Sequence, residues 1–274
     1  MTRVFTFGRG IEERNYTIPD LRAVKGSDKR LSVCNPANTL EAKACTEAGI
    51  DLLSIWDKHV PEIRAACGDR FIIAGGAWSE YATPDDILRA SIECLTSGAD
   101  MVYTARGYDI VEMLANEGIP VQVHIGLMPS RSIWNGGLRA LGKTAEEALE
   151  IFRVMKRYES AGAVAAEVEC VAENALQSMN DKTTIFTISL GSGNAGDAVF
   201  VFMADLCGET DNPPRHAHTF RNLAPMHARL YEERVAALRE YHAEVHAKQF
   251  PYESQNAFMG ELELEKLQEA LDRT

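Results

Sequence analysis

The sequence lacks any run of about 20 apolar residues, the length a helix needs to cross a bilayer, so no membrane span is expected. Its first ten residues carry Arg3 and Arg9 and no apolar core, so no secretory signal is expected either. Cysteine is sparse. Cys34, Cys45, Cys67, Cys94, Cys170 and Cys207 are scattered, with no CxxC pair. That spacing argues against a disulfide framework or a zinc site and for reduced thiols in a cytoplasmic protein. Positive charge is short: 28 Lys and Arg stand against 40 Asp and Glu, a formal net charge of -12. Non-specific binding to nucleic acid or to an anionic membrane needs the opposite field. No GxGxxG or GK[ST] loop is present, which removes the common nucleotide fingerprints. Internal repeats, low-complexity tracts and obvious linkers are missing as well.

What remains is an alternation of short apolar runs and helices. Strands are expected at residues 31–34, 51–55, 71–74, 101–104, 121–125, 165–169, 184–188 and 199–203. Helices are expected at 39–48, 84–96, 109–116 and 144–161, the second with Pro84 in its first turn and Asp85 and Asp86 at its positive end. Glycines 49, 98, 118 and 162 punctuate the helix-to-strand joints, where a left-handed helix end fits. Eight such units in 274 residues favour an α/β fold of the (β/α)8 TIM-barrel type. An open doubly wound sheet is the competing architecture. After Pro213-Pro214 the chain turns charged and helical, at 216–247 and 261–272. Leu262, Leu264, Leu267 and Leu271 suit an amphipathic helix lying on a surface or a neighbouring subunit. The organisation expected is one domain over 1–274, with 214–274 a helical extension packed on it.

In a barrel, reactive groups stand just past the C-terminal ends of the strands. That rule selects Asp57 and Lys58, Gly75 and Gly76, Tyr103 to Arg106, His124, Glu169, the turn Gly191-Ser192-Gly193, and Asp205. Strand alternation puts Glu167 and Glu169 on one face. A carboxylate partly desolvated in the barrel mouth has a raised pKa and suits a general base; a loop cap or an arginine partner is the structural alternative. His124 is either a pocket group or a satisfied core histidine. Backbone N–H groups of the 191–194 turn suit a carboxylate or phosphate.

The segment Ile119-Pro-Val-Gln-Val-His124-Ile-Gly-Leu-Met-Pro129-Ser resembles the "IPV-x-x-H-x-GL-x-PQS" signature of ketopantoate hydroxymethyltransferases. Gly136-Gly137 and Gly142-Lys143-Thr144 continue it in register. Ala161-Gly162-Ala163 through Glu169-Cys170-Val171 resembles "EAGA…LECVP", residues 188–193 resemble "IGIGAG", and residues 204–208 resemble "HDMLG". The likeness runs over residues 26–258, within the phosphoenolpyruvate mutase and isocitrate lyase superfamily. The resemblance implies a barrel in a homo-oligomer that moves a hydroxymethyl group from 5,10-methylenetetrahydrofolate to a 2-oxo acid. That is a step of pantothenate-type biosynthesis, with Mg²⁺ holding the enolate. It also implies Glu169 as the acid/base, His124 as a pocket group and Asp57 as a metal ligand.

Several positions depart from the family. Its "VGDS" reads Ile55-Trp56-Asp57-Lys58, so a substrate-binding serine becomes Lys58. Its "ADLPF" reads Ala74-Gly75-Gly76-Ala77-Trp78, so a metal aspartate becomes Gly75. Its "VKLEGG" reads Val102-Tyr103-Thr104-Ala105-Arg106-Gly107, so a pocket lysine becomes Tyr103 and an acid becomes Ala105. One carboxylate is a poor Mg²⁺ site. Lys58 and Arg106 are new cations at neighbouring strand ends and are expected to bind substrate in the metal's place, with Asp57, Tyr103 and Ser192 as further substrate-binding residues. Three functions stay open: a hydroxymethyltransferase-like enzyme on a 2-oxo acid or related carbonyl, a metal-independent aldolase or lyase, and an inactive binding barrel.

Overall fold

A computed structural model describes residues 1–76 and 80–273. Contacts divide the chain into two compact units, Met1–Arg221 and Asn222–Thr274.

The first unit opens with a hairpin, β1 (Thr2–Phe5) and β2 (Ile11–Arg14), and a short helix α1 (Ile18–Val24). Eight parallel strands follow: β3 (Leu31–Cys34), β4 (Leu52–Trp56), β5 (Phe71–Gly75), β6 (Met101–Thr104), β7 (Val121–Gly126), β8 (Ala165–Glu169), β9 (Phe186–Leu190) and β10 (Ala198–Phe200). They close into a barrel in the order β10-β3-β4-β5-β6-β7-β8-β9. Between them run α2 (Thr39–Glu47), α3 (Val60–Cys67), α4 (Pro84–Thr96), α5 (Tyr108–Asn116), α6 (Ala145–Ser160) and α7 (Glu173–Asn180). β9 passes to β10 through residues 191–197, which carry no helix, and α8 (Met203–Cys207) follows β10. The expected TIM barrel is the fold found.

The local causes are legible. In α4, the Thr83 hydroxyl accepts the Asp86 N–H at 3.2 Å and the Asp86 carboxylate accepts the Thr83 N–H at 3.1 Å, a reciprocal cap ahead of Pro84. Inward side chains of the strands' first residues, Leu31, Leu52, Phe71, Met101 and Phe186, form one apolar layer, and Leu21 and Val24 of α1 pack on it. That plugs the N-terminal end of the barrel. The same end is fastened by charge: Asp100 accepts Arg14 Nε and Arg64 Nη2, each at 2.6 Å. A second apolar layer joins the outer strand faces to the helices. Apolar filling below leaves the C-terminal mouth for polar inward residues.

Two strands sit apart from their expected ranges. The seventh begins at Phe186 rather than Thr184, because the Thr184 N–H and hydroxyl are held by Glu159 at 2.5 and 2.6 Å. The eighth ends at Phe200, and Met203 opens α8 with its N–H donated to Asn35 Oδ1 at 2.8 Å. Asp205, expected beyond that strand, is therefore a buried residue inside α8.

The second unit holds α9 (Ala224–His246) and α10 (Glu261–Leu271), neither with a buried residue. Among the described residues, no helix is long and apolar enough to cross a membrane.

Candidate active site

Register brings the polar inward residues together. His124 of β7 lies opposite Glu167 of β8, and Gly126 opposite Glu169. Gly126 has φ +92, and a Cβ there would collide with the Glu169 main-chain oxygen and lie 2.8 Å from Val171. Only glycine lets the chain turn so closely over β8. The turn is fixed by the Leu127 N–H, which donates to Glu169 O at 2.8 Å. It brings the Leu127 carbonyl to 2.9 Å from His124 Nε2.

A carbonyl only accepts, so Nε2 carries the proton and Nδ1 presents a lone pair. That lone pair accepts the Tyr103 hydroxyl at 2.8 Å. Burial lowers the His124 pKa, which keeps the imidazole neutral and preserves this arrangement. Each ring nitrogen also faces a carboxyl: Glu167 Oε1 lies 3.4 Å from Nδ1, and Glu169 Oε2 lies 3.4 Å from Nε2. Burial, then the negative charge of Glu169, pushes Glu167 up to about 8; burial alone pushes Glu169 up to about 7. Glu167 beside the Nδ1 lone pair is thus a carboxylic acid at neutral pH, whereas Glu169 titrates there. Burial also raises the Tyr103 hydroxyl, reinforced by both glutamates. Cys170, next to Glu169, holds φ +51, a left-handed conformation that costs a non-glycine residue about 1 kcal/mol. Its N–H donates to Leu190 O at 2.8 Å and its carbonyl accepts the Leu141 N–H at 2.8 Å.

Beside this cluster is a cavity of about 330 Å³. Its wall includes Trp56, Asp57, Tyr81, Tyr103, Arg106 and His124. Glu169 is not part of that wall; it stands behind His124 with 14% of its side chain exposed. The cavity therefore gathers Asp57, Tyr103, Arg106 and His124 from the expected set. Lys58 is exposed and does not line it, so the cation expected to replace the metal reduces to Arg106 among the described residues. Arg106 is anchored by a hydrogen bond from Nη2 to the Tyr81 carbonyl. Ser192 is corrected too. It is buried, its hydroxyl donates to Val168 O at 2.7 Å and accepts the Val171 N–H at 2.8 Å. It pins two strand ends rather than offering itself to substrate.

A hard divalent ion needs six or more oxygen donors. Asp57 is the one acid on the cavity wall among the described residues, and both its oxygens are engaged. Oδ1 accepts the Lys58 N–H at 2.7 Å and Oδ2 the Tyr81 hydroxyl at 2.5 Å. Ala105 offers no donor. At Gly75 a side chain would collide with the main-chain oxygen of Tyr103, and at Gly76 a Cβ would lie 2.6 Å from Asp57 Oδ2 and strike the Tyr81 ring. The described residues do not fit the family's metal. Ala77 and Trp78 of the same motif lie outside the described residues. Among the described residues one other group is close enough for ligation: His124, Glu167 and Glu169 offer ligand atoms within 4.8 Å of one another. An ion there would have to displace the Tyr103 hydroxyl from Nδ1 or Leu127 from Nε2.

Sequence reasoning placed Glu167 on the right face without giving it a role, and it did not single out Tyr81. The signal for Glu167 was its shared face with Glu169. Tyr81 opens a segment, Tyr81-Ala-Thr-Pro84, that also resembles the family, but nothing in the sequence puts its hydroxyl on Asp57.

Comparison with known proteins fits the barrel and its motifs. The family model of ketopantoate hydroxymethyltransferase matches residues 56–253. The chain is 30% identical to 3-methyl-2-oxobutanoate hydroxymethyltransferase of Hyperthermus butylicus, over 93% of this chain and 95% of that protein. It is 29% identical to the protein of the same name from Pyrobaculum calidifontis, over 84% and 96%. Among solved structures, a protein provisionally assigned as a phosphonomutase from Burkholderia cenocepacia J2315 superposes with TM-score 0.53 at 10% identity, covering 82% of this chain and all of that one. A phosphonopyruvate hydrolase in complex with oxalate and Mg²⁺ gives 0.50 at 14% identity, over 94% and 97%. These structures share the fold. With its signature segments on the β7 and β8 ends, and matched over most of its length, the chain belongs to the ketopantoate hydroxymethyltransferase family.

Proposed function

We propose that the chain is a hydroxymethyltransferase-like enzyme that forms or breaks a carbon–carbon bond beside the carbonyl of a 2-oxo acid, and that it does so without the family's metal. Glu169 stands 3.4 Å behind His124 Nε2, so the substrate reaches past His124 to meet it: Glu169 takes the proton from C3, the C–H electrons move into the C2–C3 bond, and the carbonyl electrons move to oxygen as an enolate. Arg106 grips the substrate carboxylate and offsets the developing charge. The family's one-carbon donor, 5,10-methylenetetrahydrofolate, would react with one water to give tetrahydrofolate and formaldehyde; C3 attacks the formaldehyde carbon, the carbonyl electrons move to its oxygen, and Glu169 returns its proton to that alkoxide, which becomes the new hydroxyl. Run backwards, the same groups perform an aldol-type cleavage.

The observation that carries this reading is the place of Glu169 at the mouth end of β8, 3.4 Å from the neutral imidazole of His124, where burial pushes its carboxyl up to about 7. A base is most effective when its pKa lies near the working pH. The test is exchange of the C3 hydrogen of 2-oxoisovalerate with solvent deuterium, followed by NMR. Exchange should rise with pH through about 7 as Glu169 ionises. Glu169→Gln should lower it by roughly 10²–10⁴-fold. Equal exchange by wild type and Glu169→Gln would remove Glu169 from the role.

A further inference from the structure

A second cavity, of about 690 Å³, opens on the same rim at the ends of β8, β9 and β10. Lys143, Arg215, His216, Glu173 and the glycine turn 191–193 stand on its wall. In a chain with a net charge of -12, this wall sets two exposed cations, Lys143 and Arg215, against one acid, Glu173. None of the Lys143, Arg215 and His216 side chains has a hydrogen-bond or ion-pair partner among the described residues. Burial lowers the His216 pKa, so that ring is mostly neutral and able to donate one N–H.

The turn adds donors. Gly191 and Gly193 both hold φ +70, and the Gly193 N–H has no acceptor among the described residues. A Cβ on Gly191 would lie 2.7 Å from His216 Nδ1, and one on Gly193 would lie 2.5 Å from Glu173 Cδ. The backbone thus approaches the cavity wall as no other residue would allow. Main-chain N–H groups in such a turn make a concave site for an anion. The loops after the last two strands of a barrel are also where phosphate groups commonly bind. Glu173 opposes this charge, but its Oε1 is held by the Asn194 N–H at 2.8 Å.

We propose that this cavity binds an oxyanion, the phosphate or carboxylate group of a ligand, through Lys143, Arg215 and the 191–193 turn. The site is separate from the Asp57–Arg106 cavity and stands whether or not the enolisation chemistry above is right. It is tested by calorimetric titration of inorganic phosphate, and separately of glutarate, into the full chain. One of the two anions is expected to saturate a single site. Phosphate binding the tighter would assign a phosphate ester; glutarate the tighter, a carboxylate. Lys143→Ala and Arg215→Ala should each weaken binding on the order of tenfold, and Glu173→Gln should tighten it severalfold. Arg153→Ala removes an exposed cation of α6 paired with Glu150 and should change nothing. No heat with either anion, no loss in Lys143→Ala and Arg215→Ala, or an equal loss in Arg153→Ala would overturn the assignment.

Discussion

Glu167 and Glu169 are two residues apart on one strand, yet they differ in environment and in role. Glu167 is buried against a lone pair and keeps its proton; Glu169, at the end of the same strand and a little more exposed, titrates near neutrality. The pair has a thermodynamic signature. A carboxyl with a raised folded pKa binds its proton in the native state at a pH where the unfolded chain has released it. Stability therefore falls as pH rises from the unfolded value near 4.5 through the folded value of about 8 for Glu167. Glu167→Gln mimics the protonated form and has no ionisation to resist. Relative to wild type it should gain roughly 3 kcal/mol between pH 5 and pH 8, read from urea denaturation at each pH. A gain independent of pH would mean that Glu167 is not held protonated. The sequence made Glu169 and His124 visible because a strand end is a readable position. It could not show that Glu167 lies against Nδ1, or that Tyr81 covers Asp57, since both depend on contacts between segments far apart in the chain.

At the scale of elements, the metal position is closed by packing as much as by composition. Gly75 ends β5 where β6 runs closest, and no Cβ fits against the Tyr103 carbonyl. Restoring the acid with Gly75→Asp should therefore destabilise the protein by about 2 kcal/mol or more and leave Mg²⁺ binding absent. Thermal denaturation and calorimetry with Mg²⁺ would check both; a stable variant that binds Mg²⁺ would show that the strands can part. Most strands and the longer helices were legible because glycine marks helix ends and apolar runs mark strands. Thr184 was misassigned since its β-branched side chain suits a strand, whereas Glu159 ties its backbone outside the sheet. The β1–β2 hairpin and α1 gave no signal, being short, and the hairpin leaves Phe5 and Ile11 exposed instead of alternating apolar-in and polar-out.

For the whole molecule, the sequence reading of a homo-oligomer leads to a measurable expectation. Leu264, Leu267 and Leu271 of α10 lie one and two turns apart on one face and are exposed, as are Leu230, Tyr231 and Leu238 of α9. Light scattering should give a mass that is a multiple of 30.2 kDa; a monomer would show that these faces are tolerated in water.

The central claim is enolisation at a site that has given up its metal. It is tested most directly by the rate of deuterium exchange at C3 of 2-oxoisovalerate in EDTA, against the rate in excess Mg²⁺. The two rates should agree within about twofold, with Arg106→Ala lowering both by roughly tenfold or more. Exchange abolished by EDTA and restored by Mg²⁺ would contradict it, and would mean that an ion is held by groups other than Asp57.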